Sequence, residues 1–591
     1  MDSHAHTAPG GRAFLGVEHS LTGRRWVGPD AATDRHALAI AQATDLPPVL
    51  CNILARIGVA PDMADRFLEP TLRDLMPDPS TLLGMDAAAA MIWSMVKSGK
   101  RIAVFADYDV DGGASAALLI TWLRDLGQQA TLYVPDRIDE GYGPNIPAMQ
   151  KLAADHDLIV CVDCGTLSHE PIAAAKSAGA AVIVLDHHMG GETLPPADAV
   201  VNPNRMDETT DLTYLCAAGV VFMTLIAVNR LMRADGRSGP DLLQLLDLVA
   251  LATVADVAPL LGLNRALVRQ GLKVMAGRKR VGLTALADVA GVNTAPNSYH
   301  LGFLLGPRVN AGGRIGAADL GAQLLATDDP HTAEAYAQRL DALNTERRAI
   351  EAEVLAAATA QAETRGLDNP LVWAADDGWH PGVVGIVASR LKELANRPAI
   401  VIGFDGDEGK GSGRSVGRID LGAAVATATR EGLLAKGGGH KMAAGLTVTR
   451  DNLDPAMARI SDLLERQGAN DLGPRDLRID GVLTPEAAQI DLIDRIQAAG
   501  PFGAGSPAPR FAFAAARIAY TKRVGETHLQ VTFGGAQKLS AIAFRAFESE
   551  IGPALEGHKG APLHLVGRLE VDDWGGRRKP KLRIEDVSDV T

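Results

Sequence analysis

Cysteine is scarce in this chain: Cys51, Cys161, Cys164 and Cys216 are the four among 591 residues. A disulfide framework in a chain of this size would need more pairs, so the cores must rest on apolar packing. Cys161 and Cys164 form a C-x-x-C, but in the apolar run LIVCVDCG they fall on a strand. Side chains three apart on a strand point to opposite faces, which argues against a redox pair or a zinc knuckle. Aromatic residues make up 4% of the chain, too few for an extensive base-stacking surface. The net charge of −13 argues against a globally basic nucleic-acid binder, although it leaves room for a local basic groove. Apolar runs such as Val249 to Val254 are far shorter than the roughly 18 residues of a membrane span. The opening MDSHAHTAPGGRAF has no charged-then-apolar signal pattern, and no GxxxxGK[ST] phosphate loop occurs. A soluble cytoplasmic protein without membrane contact is expected.

At 47% hydrophobic and 22% charged residues, the chain is ordinary globular material, long enough for roughly three or four domains. Residues 1–45, rich in Gly, Ala and polar residues, read as a partly ordered extension. From residue 46 to 329 a catalytic α/β domain is expected. In it, strands at Ile102 to Ala106, Ala130 to Val134, Leu158 to Val162 and Ala181 to Leu185 alternate with helices at Ser115 to Leu126 and Pro171 to Ala178. That alternation predicts a doubly wound, mostly parallel sheet. A helical block, Asp241 to Val254, follows. Residues 330–366 have no internal Gly or Pro before Gly366 and are rich in Ala, Glu, Arg and Leu, which predicts one long linker helix. A smaller α/β domain is expected over 367–465. Over 466–591, strands at Phe511 to Thr521, His528 to Phe533, Lys538 to Phe544, Leu563 to Val571 and Lys581 to Asp586 predict an OB-type β-barrel, with a sandwich as the alternative.

The chemistry concentrates where strands end. RIAVFADYDVDGG places Asp107, Asp109 and Asp111 directly after an apolar strand. In an open α/β sheet that edge is where ligands bind, and clustered carboxylates repel one another unless a cation neutralises them. A calcium loop of the EF-hand type is excluded, because its twelfth position is Leu118 rather than a bidentate Glu and a strand rather than a helix precedes it. Leu158 to Val162 ends in Asp163, and Ala181 to Leu185 ends in Asp186, His187 and His188. Asp256, in LATVADVAPL, follows an apolar helix. Three neighbouring strands that each deliver acids or imidazoles to one edge favour a site over separate solvated turns. Oxygen-rich ligands with one or two imidazoles suit Mn²⁺ or Mg²⁺ better than structural zinc. Two such ions can stabilise both oxygens of an in-line displacement, so metal-assisted phosphoester or phosphoanhydride hydrolysis is expected.

The motifs ADYDVDG, VDCG, DHH and ADVAP, in that order, resemble those of the DHH phosphoesterase superfamily. The resemblance implies a two-cation centre of Mn²⁺ or Mg²⁺ on Asp109, Asp111, Asp163, His187 and Asp256. It adds Asp107 as a further ligand or supporting group, with Asp186 and His188 orienting ligands or contacting phosphate. The glycine-rich GSGRSVGR around Ser412 and Arg414 and GGGHKMAAG around Gly439 and His440 combine close backbone approach with cationic groups, suited to phosphate. Gly382, at a helix amino end in GWHPGVVGIVASRL, is another candidate anion site. These stretches resemble the DHHA1 domain that follows DHH domains.

With GPRVNAGGRIG from Gly306 and GPFGAGSPAPRF from Gly500, the pattern is most similar to the RecJ family of single-strand-specific DNA exonucleases. It covers nearly everything from about residue 46 onward. That resemblance implies 5′→3′ release of 5′-mononucleotides in DNA repair and recombination, single-stranded DNA as substrate, and a monomer. A helicase and a single-strand-binding protein are its candidate partners. Arg308, Asn310 and Arg314 are then expected near the phosphates, unless an arginine braces the linker. Arg577, Arg578 and Lys579, beside Trp574, form a basic stripe that is either a DNA contact or a solvated hairpin. The strand is expected to thread between the DHH and DHHA1 bodies, with the barrel at the entrance. A small-substrate DHH hydrolase, acting on short oligonucleotides or cyclic dinucleotides, is the alternative; the carboxyl-terminal β domain speaks against it. A non-catalytic DNA-binding scaffold would lack several of the ligands found here.

Overall fold

The computed structural model describes residues 13–136, 140–473, 475–572 and 577–590. The chain forms two compact units, Leu75–Leu472 and a second that joins Met1–Asp74 to Gly473–Thr591.

The larger unit opens with a five-stranded sheet in which every pairing is parallel. Its spatial order is Ala130–Tyr133, Ile102–Ala106, Leu158–Val162, Ala181–Leu185, Ala199–Val201. The strand order reverses between Ile102–Ala106 and Leu158–Val162, which makes their carboxyl ends the switch point where doubly wound sheets bind ligands. Both strands are buried along their whole length, as a sheet covered on two faces requires, and their near-continuous apolar sequence follows from that. The edge strand Ala199–Val201 is too short to register as a periodic signal.

The helix after the first strand starts at Val110, not at Ser115, and runs to Asp125. Asp109 is its amino-terminal cap, its Oδ1 accepting from the amides of Asp111 at 2.8 Å and Gly112 at 3.1 Å. Gly112 and Gly113 lie inside its first turn. A Cβ on Gly112 would stand 2.4 Å from the Asp107 carbonyl oxygen, so only glycine lets the helix begin this close to the strand. The block 241–254 is a short 3₁₀ turn, Leu242–Leu245, followed by the helix Leu246–Ala255. Ala217–Ala234 is apolar and 18 residues long, enough to span a bilayer by length, but 67% of it is buried inside the molecule.

The linker is one continuous helix, Pro330–Arg365, capped by Asp329. It leads to a second five-stranded sheet ordered Lys436–His440, Ala443–Thr449, Glu408–Arg414, Ala399–Asp405, Val372–Asp377. Three of these strands carry the glycine-rich stretches. Their glycines serve packing as well: a Cβ on Gly411 would meet Ile402 and Leu446 side chains at 2.9 Å. The helix Pro381–Ala395 packs on this sheet.

In the smaller unit, seven strands form one sheet bounded by Gly481–Val482 and Ile518–Val524. These strands make the expected OB-type domain; among the described residues the ladder between the two outer strands is not formed. The run expected as a single strand, Phe511 to Thr521, is two strands, Phe511–Ala516 and Ile518–Val524. The expected amino-terminal extension is corrected as well. Arg24–Val27 pairs in parallel with Arg475–Arg478, and Ala31–Ala43 is a capped helix. Residues 46–68 contribute Leu50, Ile53 and Leu54 to the same core as Phe511, Phe513 and Phe533. Burying such side chains stabilises by about 1.5–3 kcal/mol each, which accounts for why the first segment joins this unit rather than the catalytic one.

Candidate metal centre and the adjoining cleft

Asp107, Asp163 and Asp186 follow three parallel strands of the first sheet, so the chain delivers their carboxylates to one rim. Asp163 sits there with a φ of 60°, a left-handed backbone that a non-glycine residue adopts at a cost and that clusters at functional sites. His187 is the hub. Its Nε2 lies 3.3 Å from Asp163 Oδ1, 3.6 Å from Asp111 Oδ2 and 3.9 Å from Asp256 Oδ2. Asp111 is buried, and its two oxygens accept from the Ala217 amide at 2.6 Å and the Ala218 amide at 2.8 Å. It thus caps the helix Ala217–Ala234, whose own Cys216 makes no side-chain cap; the helix dipole partly offsets the cost of the buried charge.

Three sets of side chains bring ligand atoms within 4.8 Å of one another: Asp107, Asp109 and Asp163; Asp163, His187 and His188; and Asp111, His187 and Asp256. Asp163 and His187 are each shared by two sets, the pattern that two adjacent ions would use. All donors are carboxylate oxygens or imidazoles, the preference of Mn²⁺ and Mg²⁺. Asp163 Oδ1 is buried and accepts no hydrogen bond among the described residues, so this group fits a cation better than it fits a neutral packing role.

The electrostatics agree. Burial pushes the Asp163 carboxyl well above the ordinary range, and the neighbouring Asp111, Asp109 and Asp107 push it further. Asp111 is raised mainly by burial, with His187 opposing. Asp256 is pushed up to about 8, by burial first and then by Asp111 and Asp109. Asp186 behaves oppositely: although burial raises it, hydrogen bonds from His188 and Thr166 hold it well below the ordinary range. The same contact raises His188 to about 9 against the effect of burial.

Several partners had no signal in the sequence. Asp186 Oδ1 accepts from His188 Nδ1 at 2.8 Å, and its Oδ2 accepts from Thr166 Oγ1 at 2.6 Å. Asn202 Nδ2 donates to Thr166 Oγ1 and to the His188 carbonyl, both at 2.8 Å, and Asn204 Nδ2 donates to the His187 carbonyl at 2.6 Å. Tyr142 Oη stands 3.1 Å from His188 Nε2. These groups fix both imidazoles, a role that a metal or phosphate site needs. NPN at 202–204 reads as a plain turn, and only the fold carries it to the DHH segment.

A polar cleft of about 200 Å³ adjoins the acids, lined by Tyr108, Asp109, Asn310, Arg314, Ser412 and Arg414, with Pro381, Gly382 and Gly385. Arg314 donates to the Gly382 carbonyl at 2.9 Å, and Arg414 donates to Ser412 Oγ at 2.9 Å. Asn310 Oδ1 accepts from the Val110 amide at 3.0 Å, bracing the acid-bearing helix. Gly382 is less available as an anion site than its sequence suggests, because its amide donates to His380 Nδ1. Arg308 is not in the cleft lining: its Nε pairs with Asp341 of the linker helix at 2.8 Å, so it braces that helix.

Gly439 and His440 lie exposed on the edge strand. His440 is in register with Ala443 and Ala443 with Arg414, which puts its backbone about 10 Å from that of Arg414 at one end of the sheet. The basic stripe of the smaller unit is largely compensated: Arg578 grips Asp494 with two bonds, Lys581 pairs with Asp572, and Arg583 pairs with Glu570. Lys579 opens the last strand and Arg577 precedes it, exposed. Trp574 lies outside the described residues.

Three family models match the chain: the DHH family, N-terminal domain over residues 101–253, the DHHA1 domain over 368–466 and the RecJ OB domain over 479–586. The single-stranded-DNA-specific exonuclease RecJ of Dickeya dadantii is 38% identical over 564 residues, covering 92% of this chain and 96% of the relative. Its Escherichia coli counterpart is 35% identical with the same coverage. Among solved structures, RecJ from Thermus thermophilus in complex with Mn²⁺ superposes with a TM-score of 0.78 at 29% identity, covering 95% of this chain and 79% of that one. The Mg²⁺ complex of the same protein gives 0.73 at 28% identity, with 95% and 78% covered. Shared domains in a shared order, over nine-tenths of both sequences, leave one conclusion: the chain belongs to the RecJ family of single-stranded-DNA-specific exonucleases.

Proposed function

We propose that this protein is a metal-dependent exonuclease that hydrolyses the phosphodiesters of single-stranded DNA from the 5′ end and releases 5′-mononucleotides. The observation that carries the reading is the meeting of Asp111, Asp163 and Asp256 around His187 Nε2, within 3.9 Å. Asp109, Asp111, Asp163, His187 and Asp256 hold two Mn²⁺ or Mg²⁺ ions, with Asp107 as a further carboxylate beside them. Bound there, the ions supply Lewis-acid activation of the attacking water and charge stabilisation at phosphorus.

The chain's own groups do the rest. Arg414, with Ser412 on its guanidinium, binds the phosphate that enters the cleft beside Asp109. Arg314 lines that cleft and ties it to the DHHA1 helix, while Gly439 and His440 extend the phosphate track along the sheet end. The contact with Asp186 favours the imidazolium form of His188, which can bind a phosphate oxygen or supply a proton to the leaving oxygen. Thr166, Asn202 and Tyr142 keep that ring in place. Arg308 positions the linker helix instead of touching DNA, and among Arg577, Arg578 and Lys579 the paired Arg578 is the weakest candidate contact.

The full-length relatives are exonucleases, so a small-substrate hydrolase is not favoured. The setting we propose is repair and recombination in the cytoplasm, by a monomer, with a helicase to open duplexes and a single-strand-binding protein on the substrate. The test uses strands labelled at either end, with Mn²⁺, and the Asp163→Asn variant as control. A ladder that grows from the 5′ end, and is lost in the variant, is expected. Equal degradation by the variant would overturn the metal assignment, and a ladder from the 3′ end would overturn the polarity.

A further inference from the structure

Aromatic residues are few, yet two of them are placed together on the surface. Tyr299 and Phe303 are 53% and 69% exposed, and their rings stack with centroids 5.2 Å apart and planes inclined by 23°. Among the described residues this is the one stacked aromatic pair with both rings exposed. Exposing two large rings side by side forgoes the burial that each would otherwise gain, about 1.5–3 kcal/mol.

Their position connects them to the chemistry. They sit at the start of a wide π-helical turn, His300–Leu305, that runs directly into the helix Gly306–Ile315. Wide turns of this kind are rare and frequent at functional sites. That helix carries Asn310 and Arg314, which line the phosphate cleft; Asn310 is seven residues from Phe303, about 10 Å along a helix axis. On its other side the turn packs on the helix that ends at Asp256. A Cβ on Gly302 would lie 3.4 Å from Val254 Cγ1, and one on Gly306 would lie 3.1 Å from Ala255 Cβ. Val257, immediately after Asp256, is itself 69% exposed. The turn that bears the rings thus touches the helix leading to Asp256 on one side and continues into the helix that lines the polar cleft on the other, so a base held at the rings would be followed by phosphates at the cleft.

We infer that Tyr299 and Phe303 form a base-stacking platform that holds one or two nucleobases of the single strand next to the metal centre. The proposal rests on the exonuclease reading and deepens it: phosphate groups lead the strand through the cleft, and this pair supplies the sequence-tolerant grip on the bases. Every base has a π-face, so the platform takes any of the four and discriminates against a missing one.

The test measures binding of fluorescent oligonucleotides to the full chain with Ca²⁺ in place of Mn²⁺, and then walks a single abasic site along the strand. For the wild type, one or two abasic positions are expected to weaken binding by roughly 10-fold. In the Tyr299→Ala/Phe303→Ala variant, intact strands should bind roughly 10-fold more weakly or worse, and the abasic penalty should vanish. A Phe303→Trp variant gives a second readout that does not depend on the alanine variant folding. Its added emission should be quenched by an intact strand and not by one abasic at the sensitive position. If the wild type degrades strands but the alanine variant binds them as tightly, or the added tryptophan is unquenched, the platform is overturned while the exonuclease reading stands. If the wild type neither binds nor degrades strands, both fall. If the alanine variant changes only the oligomeric state, the rings are a protein interface and the proposal is wrong.

Discussion

Two regions of this molecule bury carboxylates, and they treat them in opposite ways. In the smaller unit the buried or half-buried acids all have donors: Asp480 lies 2.8 Å from Arg56, Glu585 lies 2.6 Å from Arg510 and 3.1 Å from Arg568, and Asp586 accepts from the Thr22 hydroxyl and the Trp26 indole, both at 2.9 Å. Burial raises Glu585, but Arg568 and Arg510 outweigh it and its carboxyl ends below the ordinary range. In the catalytic body, Asp111 and Asp163 are buried beside the strand edge, and among the described residues their ion-pair partners are imidazoles rather than arginine or lysine. Balanced charge is architecture. Unbalanced charge is a deficit that only a bound cation makes good, and it is where the chemistry should be sought.

The sharpest way to break that comparison is to remove one acid from each region. Asp163→Asn should lower the rate of strand hydrolysis on the order of 10³-fold or more, because it deletes a group shared by both ion sites. The same change should raise the melting temperature of the metal-free protein, since it removes repulsion. In the smaller unit, Arg56→Met strands Asp480 in the interior and should destabilise that unit by about 3–5 kcal/mol, read by denaturant unfolding. Its effect should be on folding alone.

Asp163 and Asp256 on the one hand and Glu585 on the other should also respond oppositely to pH. Asp163 and Asp256 have raised values in the folded state, so their contribution to stability is present at low pH and is lost as pH climbs toward about 8. Glu585 is lowered, so its contribution is present at neutral pH and lost on acidification below the ordinary glutamate range. Melting of the chelated protein from pH 5 to 9 should show the catalytic body weakening with rising pH, and added Mn²⁺ should stabilise most at the alkaline end. A metal effect that is flat with pH would contradict the unbalanced-charge account.

The smallest effect expected is at the supporting groups. Asn202→Ala removes the donors to Thr166 and to the His188 carbonyl, and should cost roughly 10–100-fold in activity, with KM for the strand nearly unchanged. A change in KM alone would place Asn202 in substrate binding.

The contrast between the regions also accounts for what the sequence revealed. The acids were legible because each follows an apolar strand within a few residues, so local pattern alone sets Asp107, Asp163 and Asp186 on one edge. The linker helix was legible for a similar reason: nothing in residues 330–365 interrupts it. What escaped depends on partners distant in sequence. Asp111 is pinned by the amides of Ala217 and Ala218, His188 by Tyr142, and Asp186 by Thr166. Arg24–Val27 becomes a strand only because Arg475–Arg478 receives it. The basic stripe could be read either as a DNA contact or as a solvated hairpin, because Asp494 and Glu570, which neutralise part of it, come from other elements. Whether Arg308 or Arg314 would brace the linker was open in the sequence, because Asp341, the partner of Arg308, lies 33 residues away.

Calorimetric titration of the chelated protein with Mn²⁺ near neutral pH, beside the Asp163→Asn variant, puts the central claim to its most direct test. The account predicts two ions bound per wild-type chain with release of protons, because raised carboxyls must ionise to ligate, and at most one ion in the variant. No binding by the wild type, or the same stoichiometry and proton release in both proteins, would contradict it.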